Sequence, residues 1–264
     1  MPDSDINVTK YNRKAWDHVA DQGDALYHAM TPEQIQQAKT GTWRIRVTPT
    51  IAVPHDWILP VEGKKVLCLA AGGGQQAPIL AAIGADVTVA DLSEKQLARD
   101  VEIAEREGLT INTIAADMAS MPQIEDESFD LVINPCSVIF CPDVRPVWAE
   151  VHRVLKPGGK FITGFINPIY YLFDAAKMDK GKLKVRNKIP YSDLQLSAEK
   201  RAKLIGPDRP LEFGHSLADL IAGQLEAGFQ ITGFYEDRWG DDDRLSELID
   251  VFIATLAIKA PKKM

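Results

Sequence analysis

Val66-Leu67-Cys68-Leu69-Ala70-Ala71-Gly72-Gly73-Gly74-Gln75-Gln76 is the stretch whose reading decides the fold. Its unbroken apolar start is what a parallel strand buried on both faces requires. The glycines end that strand, and Gln75 to Ile83 reads as a helix, so strand, tight turn and helix follow in one piece. The alternation continues downstream. Asp86 to Asp91 is the next strand, and Ser93 with Gln96 has the spacing of a capping box that opens a helix running to Gly108. Asn112 to Asp117 is a third, short strand and Phe129 to Asn134 a fourth. A helix ends at Leu155 against the stop signal Pro157-Gly158-Gly159, and Lys160 to Ile166 is the fifth strand. Strands and helices alternating at this spacing predict βαβ units and a parallel, doubly wound sheet.

Outside this frame the pattern changes. Residues 1–60 read as a helical cap and connector. Tyr11 to Ala20 has amphipathic spacing, and Thr31-Pro32-Glu33 opens a helix with proline in its first turn. Thr48 to Pro60 holds three prolines and is expected to be extended. Residues 61–264 form the main domain, with a lid insertion at about 167–215 where periodicity fades. Ser216 to Ala227 reads as a capped helix stopped by Gly228. Phe229 to Glu236 and Phe252 to Lys259 are strand-like, and the link between them is too short for a crossover helix, which makes the last strand antiparallel.

The 264 residues carry a net charge of −7, 45% hydrophobic and 25% charged residues, the balance of an ordinary globular chain. A protein that draws its affinity from phosphate contacts needs a basic footprint, so nucleic acid is not expected as a partner. Lys177 to Lys188 and the Lys262-Lys263 tail are the densest basic stretches and read as solvated surface. No apolar run reaches membrane-spanning length, and Met1-Pro2-Asp3-Ser4-Asp5 does not read as a signal peptide. Three cysteines, Cys68, Cys136 and Cys141, do not make a disulfide framework and suit a reducing, cytoplasmic setting. The five histidines, His18, His28, His55, His152 and His215, lack ligand spacing, so no metal is expected.

In a doubly wound sheet the ligand lies beyond the carboxyl ends of the strands, where glycines let the backbone approach it. Gly72-x-Gly74-x-x-Ala77 satisfies a relaxed dinucleotide fingerprint, and Asp91 stands about 20 residues on, where a ribose-binding acid belongs. These two features leave a nicotinamide dinucleotide and S-adenosylmethionine (SAM) open. Two more favour SAM. Asp117-Met118 closes the third strand with an acid able to accept from an adenine amine and an apolar side chain able to pack on the ring. The C-terminal strand pair also fits poorly with a second mononucleotide-binding half.

With these motifs in order, the chain from about Lys64 to Lys259 resembles class I SAM-dependent methyltransferases of the small-molecule branch called methyltransferase type 11. The loop Ala70 to Gly74 looks like that family's first motif, Asp91 its ribose acid, and Asp117-Met118 its adenine pair. Phe129 to Pro135 looks like its fourth-strand motif. Leu155-Lys156-Pro157-Gly158-Gly159 is similar to the turn before its fifth strand, and His215 to Phe229 resembles its late helix and following strand. Tyr11 to Asp21 is similar to its cofactor-capping helix. The resemblance implies a Rossmann-like, mostly parallel seven-stranded sheet with an antiparallel last strand, and SAM as cofactor. It implies a cofactor site of Tyr11, Trp16, Ala70, Gly72, Gly74, Gln75, Asp91, Leu92, Asp117, Met118 and Asn134. One departure concerns the acid the family places two residues before the first glycine, which here is Ala70. Gln75 or Gln76 is the available replacement for gripping the amino-acid end.

The activity implied is methyl transfer to a small-molecule acceptor. A nucleic-acid or protein methyltransferase and a non-catalytic SAM-binding protein are the alternatives. Transfer from a sulfonium is lowered chiefly by positioning donor and acceptor, and a base is required only where the acceptor must lose a proton. Candidates for that base are His215, Tyr170 and Asp174, followed by His55 and Tyr171. Asn134-Pro135-Cys136-Ser137 resembles motifs of base-modifying methyltransferases, but no aromatic follows and no second cysteine motif accompanies it, so Cys136 reads as an apolar strand-end residue.

Overall fold

The computed structural model describes residues 6–22, 29–178, 180–240 and 243–261; the Met1 to Asp5 start, His28 and the Lys262-Lys263 tail lie outside them. The main-sheet strands are β1 (Lys65–Leu69), β2 (Asp86–Asp91), β3 (Ile111–Ala115), β4 (Phe129–Asn134), β5 (Leu155–Ile166), β8 (Phe229–Asp237) and β9 (Phe252–Lys259), and a small hairpin contributes β6 (Tyr191–Ser192) and β7 (Phe213–Gly214). Their order is β3-β2-β1-β4-β5-β9-β8. All pairs from β3 to β5 are parallel, and β9 runs antiparallel to both β5 and β8. This is the expected seven-stranded sheet. The strand order reverses between β2-β1 and β1-β4, and that switch point opens a crevice at the carboxyl ends.

The strands are apolar because both faces are covered. Along β1, Val66 and Cys68 enter one core with Ile35, Leu80 and Val87, while Leu67 and Leu69 enter the other with Trp148, Phe161 and Val147. The pleat alone produces this division. The helices placed over these faces are α1 (Val8–Gln22), α2 (Pro32–Lys39), α3 (His55–Ile58), α4 (Gln76–Ala82), α5 (Glu94–Glu107) and α6 (Arg145–Val154). Thr31 caps α2 in a complete capping box with Gln34. Gly108, left-handed at φ 64°, ends α5.

Several local expectations are corrected. At α5 only half a capping box forms. Ser93 Oγ accepts from Gln96 N at 3.2 Å, but the Gln96 side chain turns inward against Gly73 and does not return the bond. β5 begins at Leu155, earlier than the glycine pair suggested, and β3 ends at Ala115, before Asp117, which instead bridges to Ser120. The 216–227 segment is a π-helical turn (Ala218–Ala222) running into a short α-helix (Gly223–Glu226). The proline-rich connector, expected to be extended, bends at 48–50 and contains α3.

Residues 42–53 pass over the carboxyl end of β5 as a strap that bends at 47–50, with Val53 N donating to the Ile45 carbonyl at 2.8 Å. Gly164 is what permits the approach, because a Cβ there would lie 1.9 Å from the Val47 carbonyl oxygen. Residues 167–215 fold into a 3-10 turn (Pro168–Leu172), the β6-β7 hairpin and two helices, α7 (Ala175–Met178) and α8 (Ala198–Leu204). Among the described residues no helix is long and apolar enough to cross a membrane. Lys177, Lys180, Lys182, Lys184 and Lys188 are exposed, and Arg186 pairs with Asp174 at 2.5 Å.

Candidate functional site

A cavity of about 1050 Å³ lies beyond the carboxyl ends of β1, β2, β4 and β5. Of the residues singled out from sequence, Trp16, Ala70, Gly72, Gln75, Gln76, Asp91, Leu92, Asp117, Met118, Cys136 and Tyr170 line it. The others are held elsewhere. The Tyr11 hydroxyl donates to the Gly206 carbonyl at 2.7 Å. Gly74 faces α5, donating its N–H to Asp100 Oδ1 at 2.9 Å. Asn134 ties the sheet together, donating to Leu69 O and Ser137 Oγ and accepting from Thr163 Oγ1. His215 is buried with Nε2 on the Val138 carbonyl at 3.0 Å, and burial lowers its pKa. Asp174 spends its charge on Arg186, and His55 stacks on Trp43 with centroids 3.9 Å apart.

One wall suits a nucleoside. Asp91 ends β2, is 8% exposed, and accepts the Ser93 N–H at 2.9 Å. Burial outweighs the backbone donors around it and lifts its pKa to about 6. Asp117 follows the neighbouring strand β3, two residues past Ala115, which pairs with Asp91, and is fixed by Thr9 Oγ1 and Ala119 N, both at 2.9 Å, with Met118 beside it. The glycine loop turns at Ala70 (φ 46°) and continues left-handed through Gly72 to Gly74. Ala70 therefore sits in a conformation that itself favours glycine.

Neutral amides stand where that acid is missing. Gln76 Nε2 donates to the Arg46 carbonyl at 3.1 Å, while its buried Oε1 has no partner. Gln96, 1% exposed, has partners for neither Nε2 nor Oε1, and both side chains line the cavity. Buried polar atoms are nearly always satisfied, so three orphaned amide atoms packed beside the glycine loop leave hydrogen-bonding capacity next to this wall. Arg44 and Arg46, also lining it, complete a set matching a zwitterionic amino-acid end. The residues present fit SAM.

The other wall is apolar and aromatic, built from Ile139, Phe140, Ile166, Tyr170, Trp239 and Phe252, with Cys136, Arg209 and Glu212 also facing the cavity. Helix α1 closes the top. Asn12 donates to the Phe140 and Leu211 carbonyls at 2.9 and 3.1 Å and accepts from Leu211 N at 2.8 Å. Trp16 meets Phe140 edge-on at 4.9 Å, and Ser93 Oγ donates to Asp17 at 2.6 Å. One asparagine thus pins the N-terminal helix to both the loop after β4 and the 167–215 insertion. Removing it leaves buried backbone groups unpaired at roughly 1–3 kcal/mol each. Asn12→Ala is expected to raise amide exchange in both 8–22 and 205–215; exchange unchanged in either segment contradicts the clamp.

Sequence reasoning missed Asn12, Gln96, Asp100, Arg209, Glu212 and Trp239. Asp100 is 2% exposed, holds the glycine loop through Gly74, and is lifted to about 7 by burial and then by Asp91. An acid on the buried face of amphipathic α5 was its one legible signal. Cys136 lies on the Val47 carbonyl at 3.2 Å, and burial pushes its thiol upward, away from the thiolate a nucleophile needs. Cys136→Ser is therefore expected to keep its affinity for S-adenosylhomocysteine (SAH) and form no adduct with a fluorinated pyrimidine; a trapped adduct on the native protein overturns this.

Comparison with known proteins agrees with this geometry. The methyltransferase domain family matches residues 67–163. YbaJ of Bacillus subtilis (strain 168), an uncharacterized methyltransferase, is 50% identical over 253 residues, covering 96% of this chain and 98% of YbaJ. A SAM-dependent methyltransferase from Mesorhizobium loti superposes with a TM-score of 0.61 at 21% identity, over 77% of this chain and 94% of that one. The 1,6-didemethyltoxoflavin-N1-methyltransferase of Burkholderia thailandensis, solved with bound 1,6-didemethyltoxoflavin and SAH, gives a TM-score of 0.59 at 14% identity, over 95% of this chain and 88% of that one. This chain, which matches YbaJ over nearly its whole length and carries this sheet and this cavity, belongs to the SAM-dependent methyltransferases of the type 11 methyltransferase-domain family.

Proposed function

We propose that this enzyme transfers the methyl group of SAM to a small molecule seated against Tyr170, Trp239 and Phe252. The observation that carries this reading is the shared enclosure. The acids at the ends of β2 and β3 and the aromatic wall after β5 line the same cavity, beneath α1. Bound SAM supplies a methyl group already activated on a sulfonium. Asp91 would hold the ribose hydroxyls, Asp117 and Met118 the adenine, and Gln76 and Gln96 the amino-acid end. The chain's task is then to orient the acceptor and exclude water, which lowers the barrier by several kcal/mol in favourable geometry. The 1–60 cap and the lid at 167–215 serve the 61–264 domain in this scheme, and the free thiols suit the cytoplasm. An acceptor wall that is mostly apolar and aromatic, with Arg209 and Glu212 as its orienting charges, favours a small acceptor over a polymer.

Hydrogen exchange tests the placement. SAH alone should protect the glycine loop and the ends of β2 and β3. Fractions of a metabolite extract that contain the acceptor should then protect 167–215 and α1. Protection that stays confined to the glycine loop with every fraction would place the acceptor elsewhere.

A further inference from the structure

Glu212 lines the cavity together with the aromatic wall, as does Asp143, which is exposed and accepts from Arg145 N. Glu212 lies within the body of the protein yet keeps part of its surface, and that part faces the cavity. Its backbone is fixed on both sides. Glu212 N donates to Asp193 Oδ2 at 2.7 Å, and its carbonyl accepts from Asp193 N at 3.1 Å. The preceding residue, Leu211, is the one Asn12 clamps. One carboxylate oxygen is fixed as well, since the Tyr171 hydroxyl donates to Oε2 at 3.0 Å. Tyr171 stacks on Tyr191, whose own hydroxyl donates to Asp193 Oδ1 at 2.6 Å. Oε1 makes no hydrogen bond among the described residues.

A buried carboxylate beside a second one is expensive to keep for structure alone. Burial raises the Glu212 pKa against the Tyr171 bond, Asp193 raises it further, and Arg209 opposes the rise. That places a carboxylate closer to neutral pH in a cleft, where proton-handling groups are found. Of the candidates named from sequence, Tyr170 shares the cavity, while His215 bonds the Val138 carbonyl and Asp174 pairs with Arg186, neither of them in its lining.

We propose that Glu212 receives the acceptor's protic group, and that the acceptor is a small aromatic molecule methylated on a hydroxyl or amine. This rests on the reading under Proposed function. The acceptor heteroatom's lone pair forms the new bond to carbon, the electrons of the old carbon–sulfur bond stay on sulfur, and the acceptor's proton passes to Glu212 Oε1 and thence to solvent. Tyr171 is a positioning residue that holds Oε2 so that Oε1 faces the cavity.

The test uses two fluorescent probes on the full chain saturated with SAH: 2-naphthol, which carries the proton, and 2-methoxynaphthalene, which does not. Native protein is expected to bind naphthol on the order of tenfold or more tightly, as a hydrogen bond to a charged group provides. In Glu212→Gln that preference should fall below about threefold while SAH affinity, read by calorimetry, is retained. If Glu212→Gln no longer binds SAH, Tyr171→Phe carries the test and should lower the preference. A preference unchanged in both variants, equal binding of the probes to native protein, or binding of neither overturns the assignment. Failure of native protein to bind SAH at all would instead overturn the reading on which it rests.

Discussion

Asp91→Ala is expected to bind SAH at least about tenfold more weakly than the native chain, because a hydrogen bond to a charged group is worth roughly 1.5–3 kcal/mol. Asp91 ends β2 in the crevice, and two backbone neighbours, Gly72 and Leu92, as well as Ser93 direct N–H groups at it. Its pH behaviour sharpens the test. Burial raises its pKa from 3.8 to about 6, so the folded protein holds this proton more tightly than the unfolded chain. The sign follows: the group's contribution to folding stability is present below the unfolded value and is lost as pH rises through about 6. Binding runs the other way. Ribose hydroxyls donate to the ionised carboxylate, so SAH affinity should climb as pH rises through about 6 and then level off. Calorimetry in buffers of different ionisation enthalpy should show proton release on binding below that point. Asp91→Asn should abolish the release, and release unchanged in that variant would assign it to another group.

Gly164→Ala is expected to be the most damaging small substitution in the sheet. An added Cβ would meet the Val47 carbonyl oxygen at 1.9 Å and its carbon at 2.6 Å. Those are backbone atoms, so no rotamer change relieves the overlap. Either β5 or the strap must move. Overpacking of this kind costs about 1–3 kcal/mol and sometimes more. The strap also supplies the Arg46 carbonyl that orients Gln76 and the Val47 carbonyl against Cys136, so SAH affinity should fall along with stability. Gly240→Ala is the control, because among the described residues nothing lies within 4 Å of its added Cβ. Denaturation midpoints read the outcome. Equal midpoints for the two variants would show that the strap yields freely and does not shape the cavity.

Much of this was legible in the chain. The central strands carry continuous apolar runs because both faces are covered, and β2 and β4 end where the pattern ends them. The antiparallel β9 followed from a link too short for a helix. The site was legible only where local sequence carries the constraint. Asp91 and Asp117 follow strand ends, so topology places them. Glu212 and Asn12 carry no such mark. Glu212 reaches the cavity through a hairpin of two-residue strands, and Asn12 acts across nearly 200 residues of sequence, |i−j| being 199 for its bonds to Leu211. Asn134 and His215 show the reverse failure. Both sit in motif-like stretches, yet their polar atoms satisfy neighbouring backbone and side chains. The half-formed box at Ser93 has the same origin, since tertiary packing against Gly73 draws Gln96 inward.

The central claim is that this cavity methylates a small molecule. SAM carrying an isotope-labelled methyl group, incubated with the protein and a cell extract and then separated by size, tests it directly. Label is predicted to accumulate in the small-molecule fraction, on a product heavier than its precursor by one methylene unit, and to be lost in Asp91→Ala. Label recovered in protein or nucleic acid, with none in the small-molecule fraction, would contradict the account.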